Sequence, residues 1–133
     1  MIVRSVHVDK QLTQLPQELG THRRAIDVGP NGRRYRGYLE IRRYSDSDLT
    51  VINILDLEKY LYGVVPYEIE ADAPLEAIKA QAVAARTYAY RNIGSSIYQK
   101  WGFDMVDTVS SQVYKGFDGE RASTNKADRK SVV

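Results

Sequence analysis

Three carboxylates fall close together in the segment GVVPYEIEADAP, residues 63–74: Glu68, Glu70 and Asp72. A single carboxylic acid can protonate a leaving oxygen and then, as carboxylate, take up another proton. It does so best when its surroundings disfavour the charged form. Glu68 has Pro66 and Tyr67 before it and Ile69 after it, and apolar or aromatic neighbours that exclude water have that effect on a carboxylate. On spacing alone, an exposed linker acid without chemistry explains Glu68 at least as well, and Glu70 and Asp72 are equally available.

Arg86 is the second residue set apart by its position. On a helical wheel it lies at the edge of an apolar stripe, where a guanidinium needs a carboxylate or several carbonyls. A structural ion pair and a role at a reaction site both meet that need. Other chemistries are poorly represented. Without cysteine there is no disulfide framework and no thiolate metal site, and two histidines, His7 and His22, are too few for a histidine-rich zinc centre. The net charge of +2 is mild, and binding nucleic acid calls for a stronger basic excess or a recognisable motif. The seven arginines between Arg23 and Arg43 read as a solvated strand face rather than a binding patch.

The elements that must position these groups divide at Asp56. Before it, alternation of apolar and polar residues marks a strand over Ile2 to Val8, and a polar connection containing Pro16 follows from Gln11 to Gly20. A strand over Ala25 to Val28 closes at the turn Gly29, Pro30, Asn31 and Gly32. A hairpin then joins Tyr35–Tyr44 to Leu49–Leu55 through Ser45, Asp46, Ser47 and Asp48. From Asp56 the period becomes helical. Asp56 caps a helix starting at Leu57 that Pro66 ends, and a second helix, with Asp72 near its cap and Pro74 in its first turn, runs to Asn92 before Gly94.

In that second helix Leu75, Ile78, Ala82, Ala85 and Ala89 share one stripe, while Ala77, Ala80 and Ala84 lie opposite. A helix apolar on several faces is expected to be buried on several faces, which puts it at the centre of the domain. After Gly94 the chain reads as irregular through Gly102, then as one or two short strands with turns at Gly116 and Gly119. Ser123 or Thr124 would cap a last helix beginning at Asn125. At 133 residues the chain amounts to one domain. The expected fold class is α+β, with an antiparallel sheet packed on a central Ala-rich helix and a further strand pair after it.

The run LEKYLYGVVPYEIEADAPLEAIKAQAVAARTYAYR, followed by DTVSSQVYKG and then STNKA, resembles the family of stage II sporulation protein D and the amidase enhancers. The resemblance covers Tyr38 to Lys126, about two thirds of the chain, and its three blocks keep their order. It implies a lytic transglycosylase acting on peptidoglycan glycan strands that lack stem peptides. Its catalytic acid, the glutamate of a GVV-x-x-E segment, falls on Glu68. Where the family often has Met-Pro after that glutamate, Ile69 and Glu70 stand here, so Glu70 is a reserve candidate. Gln112 and Tyr114, in the matching SSQVYKG block, can hydrogen-bond sugar hydroxyls or steady an oxocarbenium-like state. Alternating in a strand they would share a face, and a purely structural role accounts for both equally well.

The resemblance carries further expectations. Some clostridial relatives bind zinc through histidine and cysteine near this block, whereas Thr108, Val109, Ser110 and Ser111 stand here, so no metal or other cofactor is expected. Family members continue beyond the STNKA block into further strands that help to form the groove, so this chain is expected to be a partial domain. The implied location is the cell envelope, outside the cytoplasm. The amino-terminal residues lack the apolar core of a signal peptide and no segment is long enough to span a membrane, so any export signal or anchor lies outside this chain. The implied partners are denuded glycan strands and a cell-wall amidase, with glycan binding without cleavage as the alternative activity.

Overall fold

A computed structural model describes residues 1–8, 22–28, 32–43 and 49–131. The expected linker from Gln11 to Gly20 and the hairpin loop Ser45 to Asp48 lie outside these residues, as do Gly29, Pro30 and Asn31 of the expected turn. The described residues form a five-stranded sheet and four α-helices, an α+β arrangement. Strands β1 (Ile2–Val8), β2 (His22–Val28), β3 (Arg34–Arg43), β4 (Leu49–Asp56) and β5 (Met105–Val106) lie in the order β2-β3-β4-β1-β5. The first four pair antiparallel, with Leu39 opposite Asn53 and Val3 opposite Leu55.

The expected strand pair after the long helix is not formed. Only β5 pairs, and it runs parallel to β1 through Ser5 and Met105, while residues 112–116 follow no strand. The backbone there bonds to helix ends and loops instead: Tyr114 N–H donates to Asp107 O and Lys115 N–H to Gly63 O. Asp104 fixes β5 in place. Its buried carboxylate accepts from Arg4 N–H at 2.8 Å and Gly94 N–H at 3.0 Å, and from the Gln99 side chain.

Strand β4 is buried on both faces over Val51 and Ile52. Val51 and Leu55 join the main core with Val3, Leu39 and the helices, whereas Ile52 packs beneath Phe103 with Tyr98 alongside. At Asp56 the strand gives way to helix α1 (Leu57–Tyr62), and the Asp56 carboxylate accepts from Glu58 N–H at 3.0 Å as a cap. Gly63 ends α1, and Pro66 does not. Proline lacks only a donor that a first helical turn leaves unused, so Pro66 sits at the start of a new short helix, α2 (Val65–Glu68).

Helix α3 (Leu75–Asn92) and helix α4 (Ala122–Ser131) complete the layer. α3 is flanked by α1, α2 and α4 and buries Ile78, Ala82, Ala85 and Ala89. The expectation that it is buried on several faces does not hold. Leu75, Ala77, Ala80 and Ala84 are exposed, as are Val83, Tyr88 and Tyr90. Alanine is the strongest helix former whether or not it is covered, so its abundance marked the helix without marking its buried side. α4 starts at Ala122, three residues ahead of the expected Asn125, because Asn125 N–H already reaches Arg121 O.

Candidate functional site

Glu68 is the last residue of α2 and is exposed, as are Glu70 and Asp72 beyond it. The apolar neighbours that the sequence offers as its wall are directed elsewhere: Val64 and Val65 are fully buried beneath α2, while Tyr67 is exposed and Ile69 half-buried. The acid therefore stands on a firmly held stub of helix. Tyr67 lies over Gly119, where an added Cβ would come within 2.9 Å of its ring. From the other side the Ser123 hydroxyl of α4 donates to Ala71 O at 2.8 Å. The STNKA block thus docks on the turn that follows the acid.

Beneath α2 lies Tyr60, fully buried, its hydroxyl turned toward the Met105 sulfur at 3.8 Å. Burial pushes this phenol well above its ordinary value, and Tyr88, Asp107 and Glu68 add to the shift. Glu68, Asp107 and Tyr88 therefore stand within electrostatic reach of one hydroxyl.

The hydrogen bonds of the other sequence candidates go to partners other than Glu68. Arg86 spans three helices: Nε and Nη2 donate to the two Glu58 oxygens at 2.8 and 2.9 Å, and Nη2 also donates to Asp128 Oδ1 at 2.9 Å and to the Ser131 hydroxyl. The hydrogen bond to Glu58 holds its proton above the usual guanidinium range, despite the opposing effect of burial. Asp128 is fully buried with Oδ2 lacking a partner. Burial and the neighbouring Glu58 push its carboxyl up to about 7, against the pull of Arg86.

Gln112 and Tyr114 are both buried. The Gln112 amide donates to Ala85 O at 3.2 Å, on the inner side of α3. The Tyr114 hydroxyl donates to Asn53 Oδ1 at 2.8 Å, and Asn53 in turn donates to the carbonyls of Arg36 and Tyr38. Burial raises the Tyr114 phenol well above its ordinary value. These three candidates are thus engaged with the fold.

Several described arginines between Arg23 and Arg43 are likewise engaged. Arg34 pairs with Asp118 at 2.7 Å, Arg36 with Glu120 at 2.6 Å, and Arg42 with Glu40. Among the described residues no three His, Cys, Asp or Glu side chains are grouped to hold a metal ion, and no helix is long and apolar enough to cross a membrane.

Sequence reasoning missed the open side of α3. Ala84, Thr87, Tyr88, Tyr90 and Arg91 stand exposed there. The available signal was a pair of tyrosines and an arginine outside the buried stripe of an otherwise small-residue helix.

The family model for stage II sporulation protein, SpoIID, matches residues 45–133. An uncharacterized protein of Brachyspira hyodysenteriae is 43% identical over 97 residues, 73% of this chain and 26% of its own length. The amidase enhancer of Bacillus subtilis is 43% identical over 67 residues, 50% of this chain and 8% of its own. Stage II sporulation protein D of Bacillus subtilis is 42% identical over 74 residues, 54% of this chain and 21% of its own. The chain thus spans about a quarter or less of these relatives. No solved structure matches.

Proposed function

Because this chain belongs to the stage II sporulation protein D family, with the match running over residues 45–133, we propose that it cleaves peptidoglycan glycan strands lacking stem peptides, with Glu68 as the acid. The observation that carries this reading is Glu68 itself, a solvent-facing carboxyl at the end of a short helix gripped from both sides. An acid that must meet a polymer needs to be both accessible and fixed.

In this reading Glu68 gives its proton to the glycosidic oxygen as the bond to the anomeric carbon breaks. The resulting carboxylate then takes the proton of the muramic acid 6-hydroxyl, whose oxygen closes a 1,6-anhydro ring on the same carbon. The proton returns to Glu68 and no water is consumed. One carboxyl serves both steps, so no partner at the separation usual for glycosidases is required. Arg86 acts in this scheme by holding α1, α3 and α4 together, and Gln112 and Tyr114 by bracing the core. Such activity belongs at the cell envelope.

A second reading, binding of glycan in support of a cell-wall amidase without cleavage, is favoured by the name of the Bacillus subtilis amidase enhancer. The two separate on one assay. Stem-peptide-free glycan strands are incubated with the protein, with Glu68→Gln and with Glu70→Gln, and anhydromuramyl ends are sought by mass spectrometry. The expected result is product from the parent and from Glu70→Gln, and at least a hundredfold less from Glu68→Gln, as for loss of a general acid. Equal product from Glu68→Gln would remove it as the acid, and binding without product from any of the three would favour the second reading.

A further inference from the structure

Residues 94–104 form a closed loop between α3 and β5, and its two ends meet on one buried side chain. The Asp104 carboxylate accepts from Gly94 N–H at 3.0 Å and from the Gln99 amide, which also donates to Phe103 O at 3.3 Å. Backbone bonds from Gln99 to Ser96, from Trp101 to Tyr98 and from Gly102 to Gln99 fix the turn between them. Below the loop the Phe103 ring is buried on Ile52, the side of β4 opposite Val51 and the helices. The rings of Tyr98 and Trp101 lie 5.4 and 6.4 Å from that of Phe103, centre to centre. What this firm platform presents to solvent is apolar and cationic. Ile97 is 79% exposed and Trp101 41%. Lys100 is exposed, with Nζ 4.0 Å from the centre of the Trp101 ring, and Arg91 is exposed just ahead of the loop. From Arg91 to Phe103 the sequence contains no carboxylate.

We propose that this loop is a membrane-docking element, which seats Ile97 and Trp101 in the interface of a bilayer carrying anionic lipids while Lys100 and Arg91 meet the head groups. A lone exposed apolar side chain needs no partner, but here two are held out by a loop whose ends are tied to a buried carboxylate. Tryptophan suits the lipid interface because its ring is apolar and its N–H polar. Cations beside it are drawn to anionic head groups, and with no carboxylate in the loop nothing in that stretch opposes them. A protein partner fits less well. A stable complex covers about 800 Å² on each side, far more than two side chains offer, whereas insertion into a lipid interface needs only a small apolar tip with a basic surround. The inference goes beyond the activity proposed for Glu68, and its test does not depend on that activity.

Trp101 is the single tryptophan of the chain, so its emission reports on this loop alone. The whole protein is mixed with vesicles of phosphatidylcholine, or of phosphatidylcholine in equal mixture with phosphatidylglycerol, and the bound fraction is measured in parallel by sedimentation. The mixed vesicles are expected to shift Trp101 emission to the blue and to carry the protein down, less so in high salt, and lipids brominated on their acyl chains to quench it. Ile97→Ser is expected to lower partitioning about tenfold, and Lys100→Ala about fivefold. Both positions are exposed, and circular dichroism of each variant checks that the fold is kept. Absence of both the shift and sedimentation overturns the proposal. So does sedimentation that neither substitution weakens, or a Trp101 that brominated lipid does not quench, since the vesicles are then held elsewhere. A blue shift that grows with protein concentration in the absence of vesicles assigns the loop to a second copy of the chain, and a shift produced by stem-peptide-free glycan and not by vesicles assigns it to the strand. Either result also overturns lipid docking, and neither bears on Glu68 as the acid.

Discussion

Arg86 illustrates how a residue's type can be legible while its engagement is not. The helical wheel shows a guanidinium at the margin of a buried stripe and therefore demands an anion, but nothing in the local sequence names it. Glu58 lies 28 residues away and Asp128 lies 42 residues away. With Nε and Nη2 committed to these two carboxylates, only Nη1 remains without a hydrogen bond among the described residues. Removing one partner of a buried ion cluster leaves uncompensated charge, a cost of about 3–5 kcal/mol. Glu58 keeps 36% of its side chain exposed, so Arg86→Ala is expected to lower the unfolding free energy measured in urea by less than that figure, while Arg86→Lys, which keeps the charge and loses the fork, loses less still. Unchanged stability with lost glycan cleavage would instead indicate direct contact with substrate. Glu68 is the opposite case. Its segment could be read, but periodicity and composition did not separate it from Glu70 or from an idle carboxylate, and family resemblance made the choice.

At the scale of elements, the two ends of α1 follow different rules. Its start was readable because Asp56 caps it locally. Its end was misplaced by three residues: the helix stops at Tyr62 and Gly63 follows, a position whose residue type is set at long range. An added Cβ at Gly63 would lie 2.5 Å from the Tyr114 ring, so the glycine makes room for a buried side chain 51 positions further on. Gly63→Ala is expected to destabilise the protein by about 1–3 kcal/mol, as overpacking does, measured by thermal denaturation. Tyr114→Leu in the same chain should recover part of that loss even though it sacrifices the hydrogen bond to Asn53. The residues around Tyr114 were expected as a strand because they alternate. They take loop backbone instead, since their partners are Gly63 and Asp107 rather than a neighbouring strand.

Across the whole molecule, three helices converge on Asp128, which faces Glu58 of α1 and Arg86 of α3 with Arg129 beside it on α4. Its folded-state carboxyl titrates at about 7, above its ordinary 3.8, chiefly because it is buried. The folded protein therefore holds a proton that the unfolded chain releases, and the stability this contributes is complete below about pH 4 and lost as pH rises to about 7. Asp118 runs the other way: hydrogen bonds from Arg34 lower its carboxyl, so its contribution is lost as pH falls. Measuring unfolding free energy from pH 4 to 8 for wild type and Asp128→Asn isolates the first effect. The difference curve should slope downward with rising pH and flatten above 7; a flat curve throughout would place the titration elsewhere. By itself the sequence determined the α+β class, the Asp56 cap, the extent of α3 and the ordered blocks that mark the family, because caps, periodicity and motifs are local properties of the chain. Tertiary structure alone decided that Glu68 faces solvent, that Arg86, Gln112 and Tyr114 are bonded to Glu58 and Asp128, to Ala85 and to Asn53, and that Tyr88 and Arg91 stand on the exposed side of α3. Each of those depends on which side of a helix its neighbours cover, and those neighbours are tens of residues away in the chain.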